Sequence, residues 1–162
     1  MSLHIGTKLI NATPMTRLEY NNLRGWELPQ DENGMDDGYL VEYLDGGQAN
    51  HPDYKGYISW SPKAVFDNAY RPVTGLTFGM AIEALKIGRK VARAGWNGKG
   101  MWLNLVKIGH YDVGCETVGY DPNSDENPAL LPWIGMKTAD NKFVPWLASQ
   151  TDVLADDWQI VE

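Results

Sequence analysis

Lys90-Val91-Ala92-Arg93-Ala94-Gly95-Trp96 runs straight into Asn97-Gly98, and a second apolar run, Met101 to Ile108, follows it. Asn-Gly is the strongest two-residue hairpin signal, because both turn positions need φ > 0 and these two residues tolerate it best. The stretch therefore predicts an antiparallel hairpin at the centre of the C-terminal half. Upstream, Thr77 reads as an N-cap. Phe78, Ala81, Ile82 and Leu85 fall at i, i+3, i+4 and i+7, one apolar helical face that Gly88 ends. Downstream, residues 109–129 are rich in Asp, Asn, Gly and Pro and read as a long mobile loop. Pro132 to Thr138 and Phe143 to Trp146 read as strands around an Asp140-Asn141 turn. Ser149-Gln150-Thr151-Asp152 has capping-box spacing before a short helical turn, and Trp158 to Val161 closes as a strand.

Further out, a seam near Arg71-Pro72-Val73-Thr74-Gly75 separates an N-terminal unit, residues 1–73, from residues 74–162. Thr16-Arg17-Leu18-Glu19 is a second capping box and opens a short helix to Leu23 that Gly25 stops. Tyr39 to Leu44 and Tyr54 to Trp60 read as two strands. Ser61-Pro62 supplies an N-cap and first helical residue for a helix whose apolar stripe is Val65, Phe66, Ala69 and Tyr70. The expected fold class is α+β: a small antiparallel sheet with short helices, a C-terminal β-hairpin core domain and an N-terminal α-β-β-α unit.

Composition narrows function by exclusion. A chain of 162 residues suits one large domain or two small ones, and can bury roughly 68–70% of its unfolded surface without a metal or disulfide. Fourteen Lys and Arg against 21 Asp and Glu give net −7, which argues against a general nucleic-acid binder. The single cysteine, Cys115, cannot form an internal disulfide, and with the scattered His4, His51 and His110 it makes a poor metal site. A reducing compartment is expected. No run approaches the ~20 apolar residues that span a bilayer, and no signal-peptide h-region is expected at the N-terminus.

Seven Trp and eight Tyr stand beside only three Phe. Aromatics with polar handles suit surfaces where one edge stays wet, such as interfaces and ligand pockets, although a small fold can also use Trp as filler. Seventeen Gly and nine Pro imply short elements joined by tight turns. Six basic residues (Lys86, Arg89, Lys90, Arg93, Lys99, Lys107) and no acid lie between Ala84 and Ile108. On an acidic chain that patch fits either a small anion or a solvated face.

No Walker A, dinucleotide-binding, zinc-protease, CxxC or nucleophile-elbow pattern occurs. His51, in Asn50-His51-Pro52, reads as a turn residue. The remaining catalytic candidates are the carboxylates Asp152, Asp156 and Asp157. On a continuous helix Asp152 and Asp156 would sit one turn apart, within the ~5–9.5 Å of a glycosidase pair. Asp152 is better explained as the partner of the Ser149 cap, and an enzyme is not expected.

Three blocks in the second unit carry a resemblance. They are Leu76-Thr77-Phe78-Gly79-Met80-Ala81-Ile82-Glu83-Ala84-Leu85, then Arg93-Ala94-Gly95-Trp96-Asn97-Gly98-Lys99-Gly100-Met101, and finally Pro145 to Trp158. Together, over about residues 74–162, they resemble the second Thoeris anti-defence family of small phage and prophage proteins. Met15 to Asn21, Gly38 to Val41 and Tyr57 to Lys63 resemble an accessory segment common in phage proteins. The resemblance implies a protein that binds the glycocyclic ADP-ribose messenger of TIR-domain immunity and sequesters it uncleaved, in the cytoplasm of the bacterial host. It also implies a homotetramer with pockets between protomers, no cofactor, no metal, and in some members a separate cyclic dinucleotide site.

The ligand-binding residues expected on that basis are Arg93, Trp96, Asn97, Lys99, Met101, Trp146, Ser149, Gln150, Thr151 and Asp152. Trp96 and Trp146 suit base stacking. Asn97 and Gln150 carry the donors and acceptors that an adenine edge requires, although Asn97-Gly98 is equally a turn. The amides opening the Ser149–Asp152 turn, with Arg93 or Lys99, suit an anion. Asp152 suits the cap or a ribose hydroxyl, and Trp158 suits the core. The long 109–129 loop could reshape or lid the pocket. The alternative from another class is a Trp-rich carbohydrate-binding or phage structural module.

Overall fold

A computed structural model describes residues 2–4, 6–96, 98–107 and 131–162. Asn97, Cys115, His110 and the expected 109–129 loop lie outside the described residues. The chain forms two compact units, Met1–Arg71 and Pro72–Glu162. Both combine short helices with antiparallel sheet, an α+β fold.

The first unit holds a three-stranded sheet in the order β1 (Ile10–Pro14), β2 (Gly38–Tyr43), β3 (Tyr57–Pro62), with helices α1 (Arg17–Arg24) and α2 (Lys63–Ala69). The expected α-β-β-α order is therefore corrected to β-α-β-β-α. β1 escapes prediction because three of its five residues, Asn11, Ala12 and Pro14, are poor strand formers; it is an exposed edge, held by its ladder to β2. β3 begins at Tyr57 rather than Tyr54, because the Glu42 carboxylate takes the Lys55 and Gly56 amides. The Asn50 side chain then accepts from the Ile58 N–H and donates to its carbonyl, standing in for a strand neighbour. Pro62 ends β3 and is itself the α2 N-cap, so Ser61-Pro62 is not the expected cap pair. The α2 stripe is not buried: Val65 is exposed, and Phe66 stacks on Tyr39 at 4.0 Å. The core of this unit is Tyr20, Leu40 and Ile58.

The second unit is a five-stranded sheet, with one strand in each of the five segments that read as strands in its sequence. Its order is β7 (Phe143–Pro145), β6 (Trp133–Lys137), β5 (Trp102–Val106), β4 (Lys90–Arg93), β8 (Trp158–Val161). Helix α3 (Phe78–Lys86) is capped by Thr77, as its sequence predicts. It buries Ala81, Ala84 and Leu85 against Val91, Leu103 and Trp158. A one-turn helix, α4 (Gln150–Val153), precedes β8. At Gly135 in β6 a Cβ would lie 2.2 Å from the Phe143 ring, so only glycine lets that ring cross the strand. The outer edge of β8 is closed by the chain itself: Leu76 and Trp158 exchange backbone hydrogen bonds of 2.7 and 3.1 Å, and the Ile160 N–H reaches the Val73 carbonyl at 2.9 Å.

The two-residue hairpin at Asn97-Gly98 is also corrected. β4 leaves the sheet at Arg93, Ala94–Trp96 form a 3-10 turn, and β5 starts only at Trp102. Local turn propensity loses here to tertiary bonds. The Ala94 amide takes the Asp157 carbonyl (3.0 Å), the last step of the β4–β8 register, and the Gly95 amide is then captured by the Asp157 carboxylate (3.0 Å), which turns the chain out of the ladder.

Candidate functional site

Trp158, the first residue of β8, is fully buried and is the centre on which the candidate residues converge. Its indole N–H donates to the Asp152 carbonyl at 3.0 Å, so a large ring is buried with its one polar atom satisfied. Trp96 meets it edge to face at 5.6 Å and 75°, and Trp146 does so at 6.0 Å and 81°. Phe78 of α3 touches both Trp158 (5.6 Å) and Trp146 (6.3 Å). Trp96 and Trp146 remain half-buried. One indole is therefore core, as expected, and two are rim, each with part of its surface open.

Arg93, at the end of β4, sits between two carboxylates. Its Nε donates to Asp157 Oδ1 at 2.7 Å and its Nη1 to Asp152 Oδ1 at 2.9 Å. The Asp157 hydrogen bond strengthens the hold of Arg93 on its proton, with Asp152 adding to it. The bond from Arg93 lowers the Asp157 pKa below the usual carboxylate value. Burial pushes Asp152 upward, but hydrogen bonds from Ser149 and Arg93 outweigh it and the net shift is downward. Both acids are ionised at neutral pH, so the cluster carries one positive charge against two negative ones.

Ser149 and Asp152 form the expected capping box. Asp152 N–H donates to Ser149 Oγ (3.2 Å), and Ser149 N–H donates to Asp152 Oδ2 (3.0 Å). Asp152 thus meets the Ser149 amide where an external anion was expected. The Ser149 and Thr151 hydroxyls lie 2.8 Å apart, and the Thr151 carbonyl accepts from Arg93 at 3.4 Å. Gln150 and Lys99 are exposed, and Met101 is half-buried just before β5. The fold brings Arg93, Trp96, Trp146, Ser149, Thr151 and Asp152 together. Lys99 lies three residues past Trp96, its amide directed to the Trp96 carbonyl at 3.5 Å.

Asp152 and Asp156 do not share a helix, because α4 ends at Val153 and Asp156 is exposed, while Asp152 is the cap partner its spacing favours. The true partner of Asp152 is Asp157, through Arg93. In the sequence Asp157 stands only among the catalytic candidates, not the ligand-binding ones; its bonds to Arg93 and the Gly95 amide have one signal there, Gly95 beside Trp96, where a side chain would crowd that carboxylate. Among the described residues, no group of three or more His, Cys, Asp or Glu could hold a metal. His51 is pinned in its turn: its Nδ1 accepts from the Asp53 amide, and its ring packs on Tyr54.

Two concavities occur in the first unit. One, of about 370 Å³, is lined by Arg17, Glu32, Asp36, Trp60 and Pro62. The other, of about 360 Å³, is lined by Lys8, Tyr43, Gly46, Gly47, Tyr57 and Ser59. Among the described residues, no helix is long and apolar enough to cross a membrane.

The second unit is thus a small α+β domain whose aromatic cluster and C-terminal turn are wired into one block by an ion network. Residues 76–161 match the model of the Thoeris anti-defense 2-like domain. A Thoeris anti-defense 2 protein of Bacillus phage SP01 is 46% identical over 89 residues, which is 54% of this chain and 97% of that relative. The chain belongs to the Thoeris anti-defense 2-like family. The matched span contains Arg93, Trp96, Trp146, Ser149, Asp152, Asp157 and Trp158; residues before 76 lie outside it.

Proposed function

We propose that this chain is an anti-defence protein that binds a cyclic ADP-ribose-type immune messenger, glycocyclic ADP-ribose, and sequesters it without cleavage in the cytoplasm of the bacterial host. The observation that carries the proposal is the pair of half-buried indoles, Trp96 and Trp146, braced edge to face on the buried Trp158. Rings held this way lose little freedom when a base stacks on them, and such stacking contributes about 1–3 kcal/mol per base. The exposed Lys99 supplies charge for the pyrophosphate, since Arg93 is already held by two aspartates. Asn97 and Gln150 serve the adenine edge, and Ser149, Thr151 and Met101 line the rim.

Binding without turnover is supported by the state of the carboxylates. A general acid needs a raised pKa, and Asp152 and Asp157 are both lowered. Holding a messenger at sub-micromolar concentration calls for a Kd near 1 nM, about −12 kcal/mol. Enclosure between protomers would help to reach it, and a homotetramer is part of the proposal. The exposed Leu147 and Leu154 and the partly exposed Val153, which follow Trp146 in the chain, supply apolar surface for such a contact.

The test is calorimetric titration with glycocyclic ADP-ribose, then heat denaturation and chromatography of the supernatant. Nanomolar binding with intact ligand released supports sequestration. A Kd above about 10 µM overturns this ligand, leaving cyclic dinucleotides or glycans. A cleaved product overturns the non-catalytic role, and light scattering that reports a monomer overturns the tetramer.

A further inference from the structure

We propose that Asp157 is a positioning residue for the Trp96 face. Its carboxylate fixes the turn that carries Trp96 and, through Arg93, ties that turn to the helical turn that follows Trp146. The inference rests on the proposed stacking of a ligand on Trp96. The Ala94 amide takes the Asp157 carbonyl (3.0 Å) at the end of the β4–β8 register, and the Gly95 amide beyond it needs another acceptor. Asp157 supplies that one too, through Oδ2 at 3.0 Å. The other carboxylate oxygen accepts from Arg93 Nε at 2.7 Å.

The contact is close enough to dictate the residue opposite. A Cβ at position 95 would stand 3.2 Å from Asp157 Oδ2, so glycine leaves room for the carboxylate to reach the amide. From Arg93 the chain of bonds continues to Asp152 and on to the Ser149 amide. Five residues, Gly95, Asp157, Arg93, Asp152 and Ser149, thus join the turn bearing Trp96 to α4. The buried core around Trp158 does not need this chain, because α3, Val91 and Leu103 enclose it independently. Loss of one acceptor at 157 therefore releases the Trp96 turn while the core stands. Asparagine at 157 has a single acceptor oxygen, so it serves Arg93 or Gly95 but not both, and its NH2 meets a donor.

The experiment compares Asp157→Asn, Gly95→Ala, Trp96→Ala and the Asp157→Asn/Trp96→Ala double variant by calorimetric titration with glycocyclic ADP-ribose. In parallel, the indole N–H resonances of each variant that keeps Trp96 are followed without ligand. Asp157→Asn is expected to weaken binding about tenfold, the cost of one charged hydrogen bond. Gly95→Ala strikes the same contact from the other side and gives the same loss. The double variant binds no more weakly than Trp96→Ala alone, because Asp157 acts through Trp96. Without ligand, the Trp96 indole resonance moves in Asp157→Asn while that of Trp26 in the first unit stays. Additive losses, full affinity in Asp157→Asn, or an unmoved Trp96 resonance would overturn the proposal. Full affinity in Trp96→Ala overturns instead the stacking on which it rests, and the ligand-free resonance tells the two failures apart.

Discussion

The chain contains the same capping motif twice, with different consequences. In the first unit, Thr16 and Glu19 close the box at the start of α1, and among the described residues the Glu19 carboxylate bonds only to the Thr16 amide and hydroxyl. In the second unit, Ser149 and Asp152 close the same box at the start of α4, but Asp152 also takes Arg93 with Oδ1 and the Trp158 indole with its carbonyl. α1 has eight residues and buries Tyr20 and Asn21; α4 has four and buries none. A single turn that buries nothing cannot support itself, since a helix gains most of its stability from packing. The difference teaches that a capping box contributes according to what its acid is wired to: the first ends a helix, and the second fastens a turn to a sheet.

Arg93→Ala should break the comparison most severely. It strips the second box of its outside tie and leaves Asp152 and Asp157 facing each other, at a cost of about 2–3 kcal/mol by thermal unfolding. Asp152→Ala should cost slightly less, about 2 kcal/mol, because the cap and the ion pair are lost together. Thr16→Ala and Ser149→Ala remove only the local hydroxyl and should cost about 1 kcal/mol each, nearly equal in the two units. A large inequality between those two would refute the claim that the boxes are locally alike.

The smallest effect is acid loosening. Asp152 and Asp157 have pKa values lowered by folding, so their stabilisation is present above about pH 4, the unfolded carboxylate value, and is lost as pH falls through the folded values. The Trp158 indole N–H resonance should then shift as the Arg93 tie opens. Glu19 is also lowered, chiefly by the Thr16 amide, but its protonation should leave the tryptophan resonances in place.

Much of this was legible in the chain because it was local. Both capping boxes, the Thr77 cap and the α3 stripe follow from spacing, the Asp140-Asn141 turn from residue type, and the burial of Trp158 from its place at the head of a strand. What failed was decided by partners far along the chain. β1 is a strand because β2 offers it a ladder. The turn after Arg93 is not a tight hairpin because Asp157, more than sixty residues later, captures its amides. Candidate site residues could be named by type, yet their wiring could not, since nothing in the order of residues says that Arg93 lies between Asp152 and Asp157.

The strip Val73–Leu76, laid along the free side of β8, sets where the second unit can be cut or grafted. The family match opens at Leu76, but a fragment started at Thr77 would keep every helix and strand of the sheet while exposing the backbone of β8. Such a fragment would recruit another copy edge to edge and come out of solution as aggregate. A fusion or truncation that begins at Val73 carries its own edge guard, so the transferable module begins a few residues before the recognisable one.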